Sequence, residues 1–199
     1  MKPLLLFITL LFCFKPIFAQ EALDCGYYGN KTVEERNALF PFNNAKKVVL
    51  ISYANGVGKI QQEIRDTVAF MKRFYVIEEL RFTVEKRSFF YLVKEQHNLS
   101  QDGINRLSDI LINYKLKKKP VTDGCPSGNL CSYNPHNAVL FYDEYGIVIC
   151  CYEVCFECEN SFIIPDNAAL SNAVCCLEAQ INEVKKLFTD QGIKYLGNL

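Results

Sequence analysis

The stretch CCYEVCFEC is the densest group of cysteines in the chain, with four in the nine residues from Cys150 to Cys158. Cysteine thiolates can bind zinc, carry out thiol–disulfide exchange, or join in pairs as disulfides. The choice among these depends on the compartment in which the protein folds and on the elements that present the cysteines.

A metal site is one alternative. Cys155 and Cys158 have the two-residue spacing of a zinc knuckle, and Cys131 with Cys176 could complete a tetrahedral set. The chain has no second C-x-x-C pair, and the thiols of an exported protein meet oxidants before they meet a metal. The set Cys131, Cys155, Cys158 and Cys176 therefore stays an alternative, and we expect no cofactor.

Redox and hydrolytic chemistry fit less well. A thioredoxin-like C-x-x-C pair opens a helix, whereas Cys155 and Cys158 end a predicted strand and have acidic neighbours that disfavour a thiolate. Neither a G-x-S-x-G nor an H-E-x-x-H motif is present. We predict no catalytic residue, and the sequence favours a protein that is not an enzyme.

The N-terminus indicates the compartment. Lys2 precedes an apolar run over 4–14, and Ala19 provides a small residue before Gln20. This layout is typical of a secretory signal peptide, and the run is shorter than the roughly 20 apolar residues that a membrane helix needs. We expect residues 1–19 to be removed and residues 20–199 to form a single secreted or periplasmic domain with no stable membrane insertion.

The charge balance excludes one class of partner. Removal of residues 1–19 takes away Lys2 and Lys15, which leaves 20 basic and 22 acidic side chains. A net charge of −2 offers no electrostatic basis for binding nucleic acid. Other partners are not indicated by the sequence.

Disulfides are the favoured interpretation of the cysteines. Nine remain after cleavage, and because nine is odd, at least one is unpaired, joins two chains or binds something. A strand with thiols on both faces could be joined to two neighbours. The candidates for disulfides are Cys131, Cys150, Cys151, Cys155, Cys158 and Cys176.

One pairing is more specific than the others. If a hairpin turn sets Tyr142 opposite Ile147, Cys131 falls opposite Cys158, within reach of a disulfide. Cys155 would then lie near the last helix, where the apolar stripe predicts that Cys176, not Cys175, faces the fold. These pairings follow from the predicted register alone.

The predicted elements place the cysteine-rich stretch at the centre of a sheet. Its neighbour, NAVLFY, is apolar on both faces, which is typical of a covered strand. A turn with Gly146 joins the two, and Ser100 caps a helix that follows a second hairpin. Strands are predicted over 46–54, 81–86, 89–94, 137–142 and 147–156, and helices over 32–39, from 101 to before 120 and over 167–190, with 59–80 left ambiguous. The expected fold class is α+β: an antiparallel sheet with a central C-terminal β-hairpin, packed by two or three helices.

The last third of the chain resembles small exported bacterial proteins of unknown function. The shared pattern reads P-x-N-A-x-x-F-Y-D from Pro135, G-x-V-I from Gly146, C-F-E-C from Cys155 and G-I-K-Y from Gly192. The resemblance implies no particular activity. Two function classes therefore stay open: a disulfide-stapled binding or structural module, and a thiol- or metal-dependent protein.

Overall fold

The computed structural model describes residues 25–54, 78–116, 133–166, 170 and 177–197. The strands are β1 (Cys25–Tyr27), β2 (Lys47–Ala54), β3 (Glu78–Val84), β4 (Arg87–Asn98), β5 (Tyr114–Leu116), β6 (Asn137–Tyr142), β7 (Val148–Cys155) and β8 (Asn160–Ile164). The helices are α1 (Val33–Asn37), α2 (Gln101–Asn113) and α3 (Leu177–Asp190). Among the described residues, no helix combines the length and the apolar character that crossing a membrane requires.

Six strands form one antiparallel sheet in the order β3-β4-β2-β6-β7-β8, and β1 pairs with β5 in a separate ribbon. The predicted α+β fold is thus confirmed, with the hairpin β6–β7 inside the sheet. Every residue of β6 except the last is buried, as its apolar character on both faces predicts.

The helices cover one face of the sheet. Leu107 and Leu111 from α2 and Val184 and Phe188 from α3 pack against strand side chains in one apolar cluster. On the strands, this cluster contains Val48, Leu50, Val139, Phe141, Cys150, Tyr152 and Val154. Because alternate residues of a strand share a face, each contributing strand gives every second side chain to it.

The other face carries a second apolar cluster, and the sheet itself covers that cluster. The edge strand β3 contacts β7 across the sheet, so the sheet curls over its own face. The β3–β4 hairpin thereby places Phe82, Phe89 and Tyr91 above Leu140 and Cys151 of the central strands. The curled face therefore forms an aromatic-rich layer beside β7.

The hairpin register differs from the prediction. Tyr142 lies opposite Val148 rather than Ile147, and Phe141 lies opposite Cys150, so Ile149 is the extra residue of a bulge. A bulge changes which side chains share a face. Strict alternation along β7 would place Val148 on the same face as Cys150, but the bulge moves Val148 into the second cluster. Tyr152, Val154 and Phe156 do share the face of Cys150.

Two other strand predictions need correction. The turn of the β3–β4 hairpin lies at Glu85 and Lys86, with Val84 opposite Arg87, not at Arg87 and Ser88. Glu85 reaches the tight turn by adopting a φ of +48°. Strand β8 was not predicted, and it follows a second such turn, where Glu159 also has a φ of +48°. Most of the ambiguous segment 59–80 lies outside the described residues.

α1 and α3 lie within their predicted ranges, although most of 167–176 lies outside the described residues. α2 begins as predicted but ends at Asn113, because Tyr114–Leu116 forms β5 and pairs with β1, so the prediction that this helix continues to before residue 120 is wrong. Ser100 caps α2 and accepts a 3.2 Å hydrogen bond from the Gly103 backbone N–H. The last helix ends at Asp190, followed by Gly192 in the left-handed conformation at a φ of +84°. That glycine lets the chain leave the helix without strain, as the sequence predicts.

Candidate functional site

Cys150 and Cys151 are adjacent on β7, so their side chains point into opposite clusters. Both are fully buried free thiols. Burial raises the pKa of each thiol well above its ordinary value of 9.0. At neutral pH both groups therefore stay protonated, and protonated thiols are weak nucleophiles and weak metal ligands.

The predicted staples on β7 are not formed. Cys150, Cys151 and Cys155 are all free thiols, so the expectation that these three cysteines enter disulfides does not hold in this structure. The physical reason for Cys150 and Cys151 is their packing, since each lies inside an apolar cluster of the sheet rather than at its edge. At the positions of Cys150 and Cys151, the thiol packs in the core as a small apolar side chain would.

Cys158 differs from those three cysteines because it is disulfide-bonded. Its partner is none of the three free thiols, and the predicted partner Cys131 lies outside the described residues, as do Cys175 and Cys176. Within the described residues, no group of three or more histidine, cysteine or acidic side chains could hold a metal ion. The pairing of Cys131 with Cys158 and the metal alternative therefore stay predictions, whereas the pairing of Cys155 with Cys176 does not hold in this structure, because Cys155 is a free thiol.

A carboxylate lies on the curled face of β7, two residues beyond Cys151. Oε1 of Glu153 accepts a 2.6 Å hydrogen bond from the Tyr91 hydroxyl and a 3.1 Å hydrogen bond from the Tyr53 hydroxyl. The Tyr91 hydroxyl also lies 3.6 Å from Sγ of Cys151. The rings of Tyr53 and Tyr91 are stacked with centroids 4.0 Å apart, which fixes both hydroxyls toward the same oxygen.

A third tyrosine lies near this carboxylate without touching it. The Tyr133 hydroxyl is buried and has no hydrogen-bond partner among the described residues, and its ring packs edge-on against Phe162 at 4.9 Å. Phe162 is the partner of Glu153 in the β7–β8 register, and Ala138 is the partner of Glu153 on β6. Glu153 therefore lies between a small side chain and an aromatic one, with three tyrosines around it.

Burial is the largest cause that raises the pKa values of Tyr53, Tyr91 and Tyr133, and the charge of Glu153 raises them further. All three tyrosines are thus neutral hydrogen-bond donors at physiological pH. No ion pair joins Glu153 to a lysine or arginine in the part of the chain that the structure describes.

The role of Glu153 was not predicted from the sequence, in which Glu153 counted only as an acidic neighbour of the C-x-x-C motif. A signal was nevertheless present. An acid in the middle of an apolar central strand needs hydrogen-bond partners or a counter-charge, because burying an uncompensated charge costs several kcal/mol (about 3–5 when one partner of a buried pair is removed). Tyr53 and Tyr91 could not be assigned as those partners without the curl of the sheet.

A second polar arrangement fixes the C-terminal segment. The Glu95 carboxylate accepts hydrogen bonds from the backbone N–H groups of Lys194 and Tyr195, and the Asn137 side chain donates to the Tyr195 carbonyl at 2.9 Å. His136 contacts the ring of Tyr195 edge-on. Two parts of the quoted pattern, P-x-N-A and G-I-K-Y, thus meet in space through Asn137 and Tyr195.

A third feature is a shallow polar cleft of about 420 Å³ beside the β6–β7 turn, lined by Phe40, Asn43, Asn44, Lys46, Asp143, Glu144 and Ile149. Asp143 is already used to hold the turn, because its Oδ1 accepts from the backbone N–H groups of Tyr145 and Ile147. No family model, curated protein or solved structure matches this chain.

Proposed function

We propose that this protein is an exported, disulfide-stapled binding module that performs no catalysis, and that Glu153 is its binding group. The observation that carries the proposal is the arrangement of Glu153 and Tyr133. Two tyrosines hold the Glu153 carboxylate through one oxygen, while the nearby buried hydroxyl of Tyr133 has no partner in the ranges that the structure describes. A buried hydroxyl without a partner costs about 1–3 kcal/mol, and a bound ligand would remove that cost.

The state of the thiols supports a binding role over a thiol-dependent one. Cys150 and Cys151 are buried, free and protonated at neutral pH, which is what core packing requires and the opposite of what a reactive thiol requires. Their place in the two clusters assigns them to the interior of the sheet. The alternative, a thiol- or metal-dependent protein, needs Cys155 and Cys158 to act with Cys131 and Cys176.

Labelling of the purified native protein with iodoacetamide at neutral pH, followed by peptide mapping, distinguishes these two classes. We expect Cys150, Cys151 and Cys155 to stay unlabelled while the protein is folded and to react once it is denatured. Native mass spectrometry of the same sample should give the mass of the polypeptide without a retained metal ion. Rapid labelling of Cys155, or a retained zinc or copper ion, would favour the alternative and contradict our proposal.

A further inference from the structure

We propose that the cleft beside the β6–β7 turn binds a sugar ring, with the C–H face of the ring on the half-buried floor of the cleft and its hydroxyls on the polar rim. The cleft has a volume of about 420 Å³, which lies within the range of small-molecule sites. Phe40 and Ile149 form its floor. Five polar side chains form its rim: Asn43, Asn44, Lys46, Asp143 and Glu144. This inference goes beyond the proposed function and does not depend on it, because Glu153 lies toward the other end of β7.

Packing and backbone hydrogen bonds fix one wall of the cleft. The buried Phe42 ring meets Phe141 edge-on with centroids 5.4 Å apart, which anchors residues 39–45 to the sheet. Within this segment, the backbone N–H groups of Asn43 and Asn44 donate to carbonyls of the same turn at 3.1 and 3.2 Å. Both amide side chains are exposed, so a fixed backbone presents them to solvent.

Hydrogen bonds also fix the opposite wall, which is the β6–β7 turn. Oδ1 of Asp143 accepts from the backbone N–H groups of Tyr145 and Ile147 at 2.9 and 2.8 Å. The Lys46 backbone N–H donates to the Tyr142 carbonyl at 2.7 Å, which joins the two walls. Because both walls are held before a ligand arrives, binding in the cleft costs little ordering of the chain.

The bulge on β7 adds an apolar side chain to the floor. Ile149 is the extra residue of that bulge, and its side chain lines the cleft. Bulges commonly direct a side chain toward a site beside a sheet. Ile149 and Phe40 both pack against the first apolar cluster while still lining the cleft. The floor is therefore an apolar surface with an aromatic ring, to which the C–H face of a sugar is complementary.

The rim narrows the ligand class through hydrogen bonding. Lys46 can only donate, the carboxylates of Asp143 and Glu144 can only accept, and the amides of Asn43 and Asn44 can do both. A hydroxyl group likewise both donates and accepts hydrogen bonds. Several hydroxyls on one rigid ring, as in a sugar, are therefore matched to this mixed set of side chains.

The charges of the rim do not favour an ionic ligand. Lys46 and the carboxylates of Asp143 and Glu144 leave a net charge of −1 around the cleft. Water and salt screen ion pairs at exposed positions such as those of Lys46 and Glu144, so such pairs contribute little. An anion would also meet the two carboxylates, and a cation would meet Lys46. A neutral ligand with many hydroxyls avoids both conflicts.

NMR titration of the isotope-labelled full native chain tests the inference with methyl α-D-glucopyranoside, methyl β-D-galactopyranoside and methyl α-D-mannopyranoside as probes. We expect at least one glycoside to bind with a dissociation constant of about 10 mM or tighter, a strength within reach of a ligand of this size. Cyclohexanol, which has a ring but only one hydroxyl, and free serine, which has both charges but no ring, should bind at least tenfold more weakly. The amide shifts should concentrate at Asn43, Asn44 and Glu144.

Two substitutions on the rim locate the binding. Asn44→Ala and Glu144→Ala each remove polar groups from an exposed side chain, so both variants should fold, and each should weaken binding about threefold or more. Asp143 is left unchanged because it holds the turn. Gln96→Ala and Glu157→Ala remove an exposed amide and an exposed carboxylate outside the cleft, and these matched controls should bind like the wild type.

The sugar could be a free monosaccharide or the end of a glycan, and disaccharides distinguish the two sources. Maltose, lactose and α-mannobiose carry the same terminal sugars as the three glycosides. A disaccharide that binds more tightly than its glycoside indicates a glycan end, whereas equal or weaker binding indicates a free monosaccharide.

The inference is overturned if none of the three glycosides binds the folded wild type, if cyclohexanol or serine binds as tightly as the best glycoside, or if the shifts lie outside the cleft. An unchanged affinity in the folded Asn44→Ala and Glu144→Ala variants would overturn it as well.

Discussion

The backbone N–H of Tyr195 donates a 2.7 Å hydrogen bond to Oε2 of Glu95, which lies 100 residues earlier in the chain. The same oxygen accepts from the Lys194 backbone N–H at 3.0 Å and from the Ser52 hydroxyl at 3.1 Å. Lys94 adds a cation–π contact, with its Nζ 3.8 Å from the centre of the Tyr195 ring. A single carboxylate on β4 thus joins the C-terminal segment to β2 and β4.

Glu95→Ala should release the C-terminal segment. Hydrogen bonds to a charged acceptor contribute about 1.5–3 kcal/mol, so we expect the free energy of unfolding to fall by about 2–4 kcal/mol. Hydrogen exchange at the Lys194 and Tyr195 amides should accelerate strongly. Gln96→Ala, at the exposed neighbouring position of β4, is the control and should change neither quantity. Unchanged exchange in Glu95→Ala would contradict this role.

Arg36 joins α1 to α2. Its guanidinium forms a 2.9 Å ion pair with Asp109 and also donates to the Ser108 hydroxyl and the Lys31 carbonyl, and its side chain is only 7% exposed. Removal of one partner of a buried ion pair costs about 3–5 kcal/mol. Because Asp109 is partly exposed, we expect Arg36→Ala to lower the free energy of unfolding by about 2–4 kcal/mol in a urea titration.

A matched control for Arg36 lies on the surface. Arg106 pairs with Asp190 at 2.6 Å, but both side chains are exposed. Surface ion pairs contribute about 0–1 kcal/mol, so Arg106→Ala should cost less than 1 kcal/mol. Equal effects of the two substitutions would mean that burial does not determine the contribution of Arg36.

Cys150 offers a direct test of a thiol that serves as a core residue. Cys150→Ala removes the sulfur and leaves a small cavity, for which we expect a cost of about 1 kcal/mol. Cys150→Ser keeps the size but buries a hydroxyl among apolar side chains, which should cost about 1–3 kcal/mol more. Urea unfolding of both variants measures the difference. A serine variant as stable as the alanine variant would indicate a polar environment at this position.

Stability should fall at alkaline pH. The buried thiols of Cys150 and Cys151 have pKa values raised above 9.0, and burial raises the pKa of Tyr152 from 10.0 to about 12. A group whose pKa is raised by folding keeps its proton in the folded state where the unfolded chain has lost it. The contribution of these groups is therefore complete below pH 9 and is lost as the pH rises above it.

Above the pKa that the group has in the unfolded chain, each of these buried groups can lower the free energy of unfolding by about 1.4 kcal/mol per pH unit. These groups should leave the urea midpoint almost unchanged between pH 7 and 8.5. The midpoint should then fall steeply between pH 9 and 11. A midpoint that rises or stays constant over the alkaline range would contradict the buried, protonated state of the cysteines and tyrosines.

The local elements were predictable because short-range chemistry determines them. Alternating and continuous apolar runs predict β2, β6 and β7. Ser100 predicts the start of α2, and Gly192 predicts the end of α3. The bulge at Ile149 was not predicted, because the apolar pattern of the two strands does not mark an extra residue. That single extra residue changes every predicted pair beyond the turn, including the one on which the bridge from Cys131 to Cys158 was based.

The candidate site was predictable only in part. The spacing of the cysteines drew attention to β7, yet its acidic residue proved more informative than its thiols. The partners of Glu153 come from β2 and β4, at sequence separations of 100 and 62 residues. The repeat of apolar residues within one strand or helix does not predict contacts between residues so far apart in the sequence. The curl that brings β3 and β4 over β7 is a property of the whole sheet.

The free thiols also resolve the odd number of cysteines. If residues 1–19 are removed, nine cysteines remain, and three of them are the free Cys150, Cys151 and Cys155. The other six can then pair completely as three disulfides, one of which contains Cys158. We propose that these pairs form among Cys25, Cys125, Cys131, Cys158, Cys175 and Cys176.

The intact mass of the purified native protein, denatured and alkylated without reduction, tests the account of an exported and stapled module most directly. We predict a chain that begins at Gln20, carries three alkyl groups and has lost the six hydrogens of three disulfides. Reduction before alkylation should raise the number of alkyl groups to nine. A chain that begins at Met1, or one that takes up more than three alkyl groups without reduction, would contradict the account.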